Sequence, residues 1–182
     1  KVYKPADFKQ VKKHGAIVFF FGGGWRIRKL DQFDPQATYF AKKGLVCFLA
    51  DYRVSGTDHS TPFKSLMDAK SAIRFIKEHA TQFHVDSSRI VASGGSAGGQ
   101  LAAATALIDD YNDSTDNLQI SCRPEALVLF NPVIDNGPGG YGYDKVGEAY
   151  PHFSPLHNIR KGAPPTLIML GKQDALIPAV TA

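Results

Sequence analysis

The sequence is short of cysteine, of long apolar runs and of any lasting excess of one charge, and each shortage removes a class of protein. Two cysteines among 182 residues, Cys47 and Cys122, stand 75 positions apart, too few for a disulfide framework and without the paired spacing of a zinc site. Cys47 lies inside the apolar stretch Leu45 to Ala50, so buried free thiols are expected. No apolar run exceeds the six residues from Ala16 to Phe21, far short of the roughly 20 that cross a bilayer as a helix, so no membrane span is expected. The opening Lys1-Val2-Tyr3-Lys4-Pro5 reads as the tail of a strand and lacks the charged-then-apolar order of a secretory leader. The formal charge is +4, yet residues 1 to 43 hold ten Lys or Arg against three Asp while the remainder is acidic on balance. Lys9, Lys12 and Lys13 read as a solvated turn with no aromatics between them, so a nucleic-acid partner is not expected.

What is present is ordinary in amount and specific in order. Hydrophobic residues at 43% and charged residues at 21% suit a globular chain, and the length suits one domain, residues 1 to 182. Segments at 16 to 21, 45 to 52, 89 to 93, 125 to 133 and 165 to 170, each largely apolar, read as buried strands. Between them lie helical signals: Asp34-Pro35, an N-cap and first-turn proline, opens a helix over 35 to 43, and Thr61-Pro62 opens another to about Ala80. A third, alanine-rich, runs to Ile108. Strands alternating with helices predict an α/β fold, a mostly parallel sheet covered by helices on both faces. Residues 136 to 164, rich in Gly, Pro and Tyr, read as an insertion or lid-like segment. Asp109, Asp110, Asp113 and Asp116 lack the glycine and closing glutamate of a calcium loop, so they are read as a solvated loop and no metal is expected.

Three segments carry candidate chemistry. Gly94-x-Ser96-x-Gly98 falls between a predicted strand and a predicted helix, the setting of a nucleophile elbow, where a strained serine needs small flanking residues. A glycine-rich packing turn is the plainer alternative, and a phosphate loop is disfavoured because its Lys is missing. Phe21-Gly22-Gly23-Gly24-Trp25 ends an earlier strand, and its unobstructed amides could face an oxyanion or could only permit a turn. Gly171-Lys172-Gln173-Asp174 closes the last predicted strand, where an aspartate is as often a turn former.

With these residues in view, the sequence resembles the α/β-hydrolase family, in its esterase/lipase branch with H-G-G-G-W and G-x-S-A-G-G motifs. The resemblance runs through Phe21 to Trp25, Asp51-Tyr52-Arg53, Asp68-Ala69, Val85 to Ile90, Ser93 to Gln100, Asn131-Pro132, Ser154-Pro155 and Gly171 to Pro178. It implies a serine carboxylic ester hydrolase acting on small acyl esters, acetyl or feruloyl esters of carbohydrates among them, with peptidases and formamidases in the same fold. It implies Ser96 as nucleophile, Asp174 as acid, the amides of Gly23, Gly24 and Ala97 as oxyanion donors, and no cofactor. Phe21 stands where the branch has histidine, which puts the turn geometry in question. No histidine follows Asp174, whereas the family order is Ser, Asp, His. His14, His59, His79, His84, His152 and His157 all precede it. The expectation is a chain truncated at both ends, with the catalytic histidine beyond residue 182 and little activity of its own; rescue by His152 or His157 is the lesser possibility. A binding or scaffold protein on the same fold is the competing class. Tyr141, Tyr143, Tyr150 and Phe153 could stack on a sugar or simply cover the sheet.

Overall fold

The computed structural model describes residues 1–9 and 13–181; the expectation for Lys12 lies outside them, while Lys9 and Lys13 are exposed. Strand β1 (Val2–Tyr3) is followed by β2 (His14–Phe20), helix α1 (Asp34–Lys42), β3 (Val46–Ala50), the short α2 (Ser55–Asp58), α3 (Pro62–Glu78), β4 (Val85–Gly95), α4 (Ala97–Leu107) and β5 (Ala126–Phe130). A further turn of helix, α5 (Tyr143–Val146), two 3-10 turns and β6 (Thr166–Met169) follow. The sheet order is β1-β3-β2-β4-β5-β6. Only β1 runs antiparallel, against β3; the other pairings are parallel. The expected α/β architecture is therefore the observed one.

The alternation of β2 explains how both faces are covered. Ala16, Val18 and Phe20 join Leu66, Ile73 and Leu101 of α3 and α4 in the larger core cluster. Ile17 and Phe19 point the other way, into a smaller cluster with Phe33 and Ala37 at the start of α1. Successive strand side chains face opposite sides, so one central strand feeds two cores. Every residue of α4 is buried, as befits a helix apolar all round. Cys47 and Cys122 are buried and free, and burial raises the Cys47 thiol pKa to about 12.

Three expectations need correction. Asp34 is the first residue of α1 rather than its cap; the capping position belongs to Phe33, with no side-chain hydrogen bond, and the carboxylate instead pairs with Lys1 at 3.2 Å. β4 runs from Val85 to Gly95, longer than the expected strand at 89 to 93, because it pairs with β2 from Val85 to Gly94 and with β5 at Gly95. Phe153 is fully buried, wedged against Phe63 and Trp25, so it covers the core and is not free to stack on a ligand. Thr61 does cap α3, its side chain accepting from the Lys64 amide, and His79 ends it, with Nδ1 at 2.9 Å from the Phe75 carbonyl.

The four aspartates after α4 are held by α3 and its surroundings. Arg74 contacts Asp116 at 2.8 Å and Asn112 at 2.6 Å, Arg160 grips both oxygens of Asp109, and His152 meets Asp110 at 3.0 Å. Asp113 folds back on Thr115. Lys70, fully buried, donates to the Asp110 carbonyl, and burial lowers its pKa.

Candidate active site

Ser96 sits between β4 and α4 with φ 52° and ψ −122°, a region that residues with a Cβ rarely adopt. The surroundings impose it. The Ser96 amide donates to Phe130 at 3.0 Å, and its carbonyl accepts from Gln100 and Val133, each at 3.1 Å. The flanking glycines are a steric requirement: a Cβ at Gly94 would lie 2.3 Å from the Gly98 carbonyl oxygen, and one at Gly98 would lie 2.2 Å from the Phe20 oxygen. Helix α4 thus starts in direct contact with the end of β2, where only Cα hydrogens fit. Its first amide, on Ala97, has no acceptor among the described residues, as the first turn of any helix leaves its donors free for an anion. The Ser96 hydroxyl is half-buried and also without a partner among the described residues.

The glycine turn lies against this elbow. A Cβ on Gly22 would come within 3.3 Å of the Ser96 Cβ. Gly23 and Gly24 both have positive φ, 138° and 61°, and neither amide donates to an acceptor among the described residues. The Gly23 carbonyl accepts from Arg26 and Ile27, which turns it away from the strand direction. The glycine turn and the elbow thus meet, at Gly22 and Ser96, at the carboxyl ends of the two central strands.

The departure at Phe21 has a structural answer that sequence reasoning missed. Phe21 is buried and stacks on Tyr52, with ring centroids 4.0 Å apart and planes 12° apart. The Tyr52 hydroxyl donates to the Phe21 carbonyl at 2.6 Å, and burial raises its pKa, so it stays a donor. Gln32 accepts from the Gly22 amide, and Arg28 ties the following loop to Asp51 at 2.9 Å and Asp58 at 2.8 Å. The amides of Ser55 and Gly56 donate to the Trp25 and Arg26 carbonyls. The only prior signal was Tyr52 in the Asp51-Tyr52-Arg53 motif, whose role is invisible without the fold. Arg53 in turn holds Asp68 of α3 through its guanidinium and its amide.

Asp174 follows β6. Its Oδ1 accepts from the amides of Leu176 and Ile177, each at 2.8 Å, and its Oδ2 accepts from Asn131 Nδ2. These bonds favour the ionised form and lower its pKa, the Ile177 amide first, then Leu176 and the Asn131 amide. Asn131 itself has φ 41° and bonds through its backbone to Met169 at 2.7 Å; β5 and β6 therefore position the carboxylate jointly. A cavity of about 360 Å³ opens beside it, lined among others by Val133, Tyr141, Leu176 and Ile177. Val133, one wall of this cavity, donates its amide to the Ser96 carbonyl. No histidine among the described residues hydrogen-bonds to Ser96 or Asp174: His152 meets Asp110, and His157 Nδ1 lies 2.9 Å from the Ser154 hydroxyl.

Comparison with known proteins agrees with this fold. The BD-FAE family model matches residues 1–138. The chain is similar to esterase 2 of Thermogutta terrifontis, whose structure phosphoramylated by tabun is 43% identical, with a TM-score of 0.94 over 99% of this chain and 68% of that one. The propionate-bound form of the same esterase matches at 42% identity and a TM-score of 0.91, over 99% of this chain and 69% of that one. Among curated relatives, an endo-1,4-beta-xylanase B of Butyrivibrio fibrisolvens is 26% identical over 91% of this chain. An acetylxylan esterase of Xylanibacter ruminicola is also 26% identical over 91%. The chain spans 28% and 35% of the lengths of these two.

Proposed function

The chain belongs to the BD-FAE family of α/β-hydrolase fold, and from that premise we propose that it forms the nucleophile, oxyanion and acid part of a serine carboxylic ester hydrolase acting on small acyl esters. The observation that carries this reading is Ser96: a strained residue at φ 52° whose hydroxyl has no partner among the described residues, set against a glycine turn in which the Gly23 and Gly24 amides have none there either. Strain of this kind persists only where packing enforces it, and here the close contact of α4 with the end of β2 enforces it.

In this reading Ser96 Oγ attacks the acyl carbonyl and gives its proton to an imidazole. The carbonyl oxygen, now negative, accepts from Gly23, Gly24 and Ala97, and the collapse of the tetrahedral intermediate expels the alcohol, which takes the proton back. Water then repeats the sequence on the acyl-serine. Asp174, ionised and held by three donors, orients the imidazole. That imidazole is proposed to come from a part of the protein beyond these 182 residues, since His152 and His157 are engaged elsewhere. The propionate-bound esterase and the acetylxylan esterase among the relatives support acyl groups of two or three carbons, acetyl esters of carbohydrates included.

The test is Ser96→Ala in the full-length protein. Turnover of p-nitrophenyl acetate is expected to fall by about 10⁴-fold or more with the fold intact. Paraoxon should label the wild type with one phosphoryl group, on the peptide containing Ser96, and leave the variant unlabelled. Wild-type turnover by the variant would reject the nucleophile, and full-length protein without turnover of any ester would favour the binding-module class.

A further inference from the structure

Tyr141 is the one aromatic residue of the 136 to 164 segment whose polar end reaches the glycine turn. A Cβ placed on Gly24 would stand 2.9 Å from the Tyr141 hydroxyl oxygen. The Tyr141 ring lies 6.1 Å from that of Trp25, and Lys145 Nζ lies 5.9 Å from its centroid. The backbone beside it is fixed from below: buried Asn136 donates its Nδ2 to the Tyr141 carbonyl at 2.9 Å. Asn136 is itself held by the Ser154 hydroxyl, which accepts from its amide. The next residue, Gly142, has φ 82° and could not carry a side chain, since a Cβ there would meet Trp25 at 2.7 Å. A phenol held this firmly would be expected to bond something, yet its hydroxyl has no partner among the described residues, and the residue lines the cavity beside the acid loop.

Elementary geometry limits what that hydroxyl can reach. A Cβ lies about 2.5 Å from the amide nitrogen of its own residue, so the Tyr141 oxygen and the Gly24 nitrogen are at most about 5.4 Å apart. One oxygen accepting from an amide at about 2.9 Å and from a hydroxyl at about 2.7 Å spans donors up to about 5.6 Å apart. A single substrate oxygen can therefore accept from both. We infer that the Tyr141 hydroxyl is a further oxyanion donor, bonding the acyl oxygen of a bound ester as charge develops on it beside Gly24. The inference rests on the reading of Ser96 and the glycine turn given above. It assigns a role in catalysis to a segment that the sequence marks only as an irregular insertion. It also accounts for the glycine at position 24, where a Cβ would push the hydroxyl away.

The experiment is Tyr141→Phe in the full-length protein, which keeps the ring against Trp25 and removes one oxygen. Expected is a fall in kcat of about 10- to 100-fold on p-nitrophenyl butyrate, the range for a hydrogen bond to a charged group, with KM within about twofold and an unchanged melting temperature. Binding of an alkyl trifluoromethyl ketone, whose serine adduct carries the same tetrahedral oxyanion, should weaken by a similar factor. A merely structural tyrosine would move neither kcat nor ketone binding in the Phe variant. If Ser96→Ala is inactive and Tyr141→Phe keeps wild-type kcat and ketone affinity, the donor role is overturned while the esterase reading stands. If Ser96→Ala itself retains turnover, both fall together.

Discussion

The elbow at 94 to 99 and the turn at 21 to 25 are both rich in glycine, and both end strands at the centre of the sheet, but they are held in different ways. At the elbow the glycines are demanded by main chain: the atoms that a Cβ would strike at Gly94 and Gly98 are the carbonyls of Gly98, Phe20 and Phe21. At the turn main chain also intrudes, since a Cβ on Gly23 would lie 2.2 Å from the Ile27 carbonyl oxygen, but side chains share the work: Tyr52 and Gln32 bond to the turn, and Arg28 ties the loop after it to Asp51 and Asp58. A shape built from backbone contacts cannot relax when a methyl group is added, because strands and a helix would have to part. One built from side-chain bonds loses them one at a time. The elbow should therefore fail abruptly when a methyl is added, and the turn by degrees when its side-chain bonds are removed one by one.

The sharpest way to break that contrast is Gly98→Ala. With carbonyl oxygens of Phe20 and Phe21 at 2.2 and 2.3 Å from the new methyl, α4 must move off β2, and a loss of about 4 kcal/mol or more is expected, read by urea unfolding. Gly44→Ala is the control: its φ is 92° but nothing lies within 4 Å of an added Cβ, so only backbone strain of about 1 to 2 kcal/mol applies. Equal losses at the two sites would mean that conformation, not contact, sets the elbow.

Next in size is Tyr52→Phe at the turn. The ring remains to stack on Phe21, but the buried Phe21 carbonyl loses its 2.6 Å donor. An unfolding loss of about 1 to 3 kcal/mol is expected. Esterase activity of the full-length variant should fall by more than stability alone explains, because the Gly23 and Gly24 amides lose their registration. A stability loss with unaltered kcat would show that Gln32 and Arg28 suffice to hold the turn.

This contrast also separates what the sequence makes legible from what it hides. The elbow can be read because its requirements are local: a strand, a serine and small residues within five positions, followed by an alanine-rich helix. The alternation of strands and helices is legible for the same reason, since burial on both faces leaves apolar runs. The turn's support is not legible, because Tyr52, Gln32 and Arg28 acquire their roles only when β3, α1 and α2 are brought alongside. The capping of α1 was misread because Asp34-Pro35 is a local signal overruled by tertiary contacts: Phe33 enters the small core and draws the helix start with it. Tyr141 stood in view as one aromatic among several, with nothing in its neighbours to set it apart from Phe153, which the fold buries.

A smaller effect of opposite sign is expected at Ser96. Replacing it by glycine removes the Cβ from a residue at φ 52°, ψ −122°, a conformation open to glycine at little cost. The protein should gain about 1 kcal/mol, as measured by the unfolding midpoint, while esterase activity is lost. A destabilised glycine variant would indicate that the serine is not strained, and would remove the observation on which the nucleophile assignment depends.

The smallest effect separates the acid loop from both. Asp174 is only half-buried, so its bonds to Leu176, Ile177 and Asn131 shift its titration without a large stake in folding. The folded-state pKa is depressed relative to the unfolded chain, so the unfolded state binds more protons between the two values, and stability rises with pH across that interval. The carboxylate's contribution is fully present above the ordinary aspartate range and lost as pH falls through the depressed value. The amide proton resonances of Leu176 and Ile177 should therefore hold their positions down through the ordinary carboxylate range and move only below it, and in Asp174→Asn that late step should vanish. Movement at the ordinary carboxylate pKa would mean that the two amides do not hold the carboxylate in solution. The acid of the proposed triad would then need an imidazole partner to order it, and the turn and elbow would be the only parts of the site already set in place by this chain.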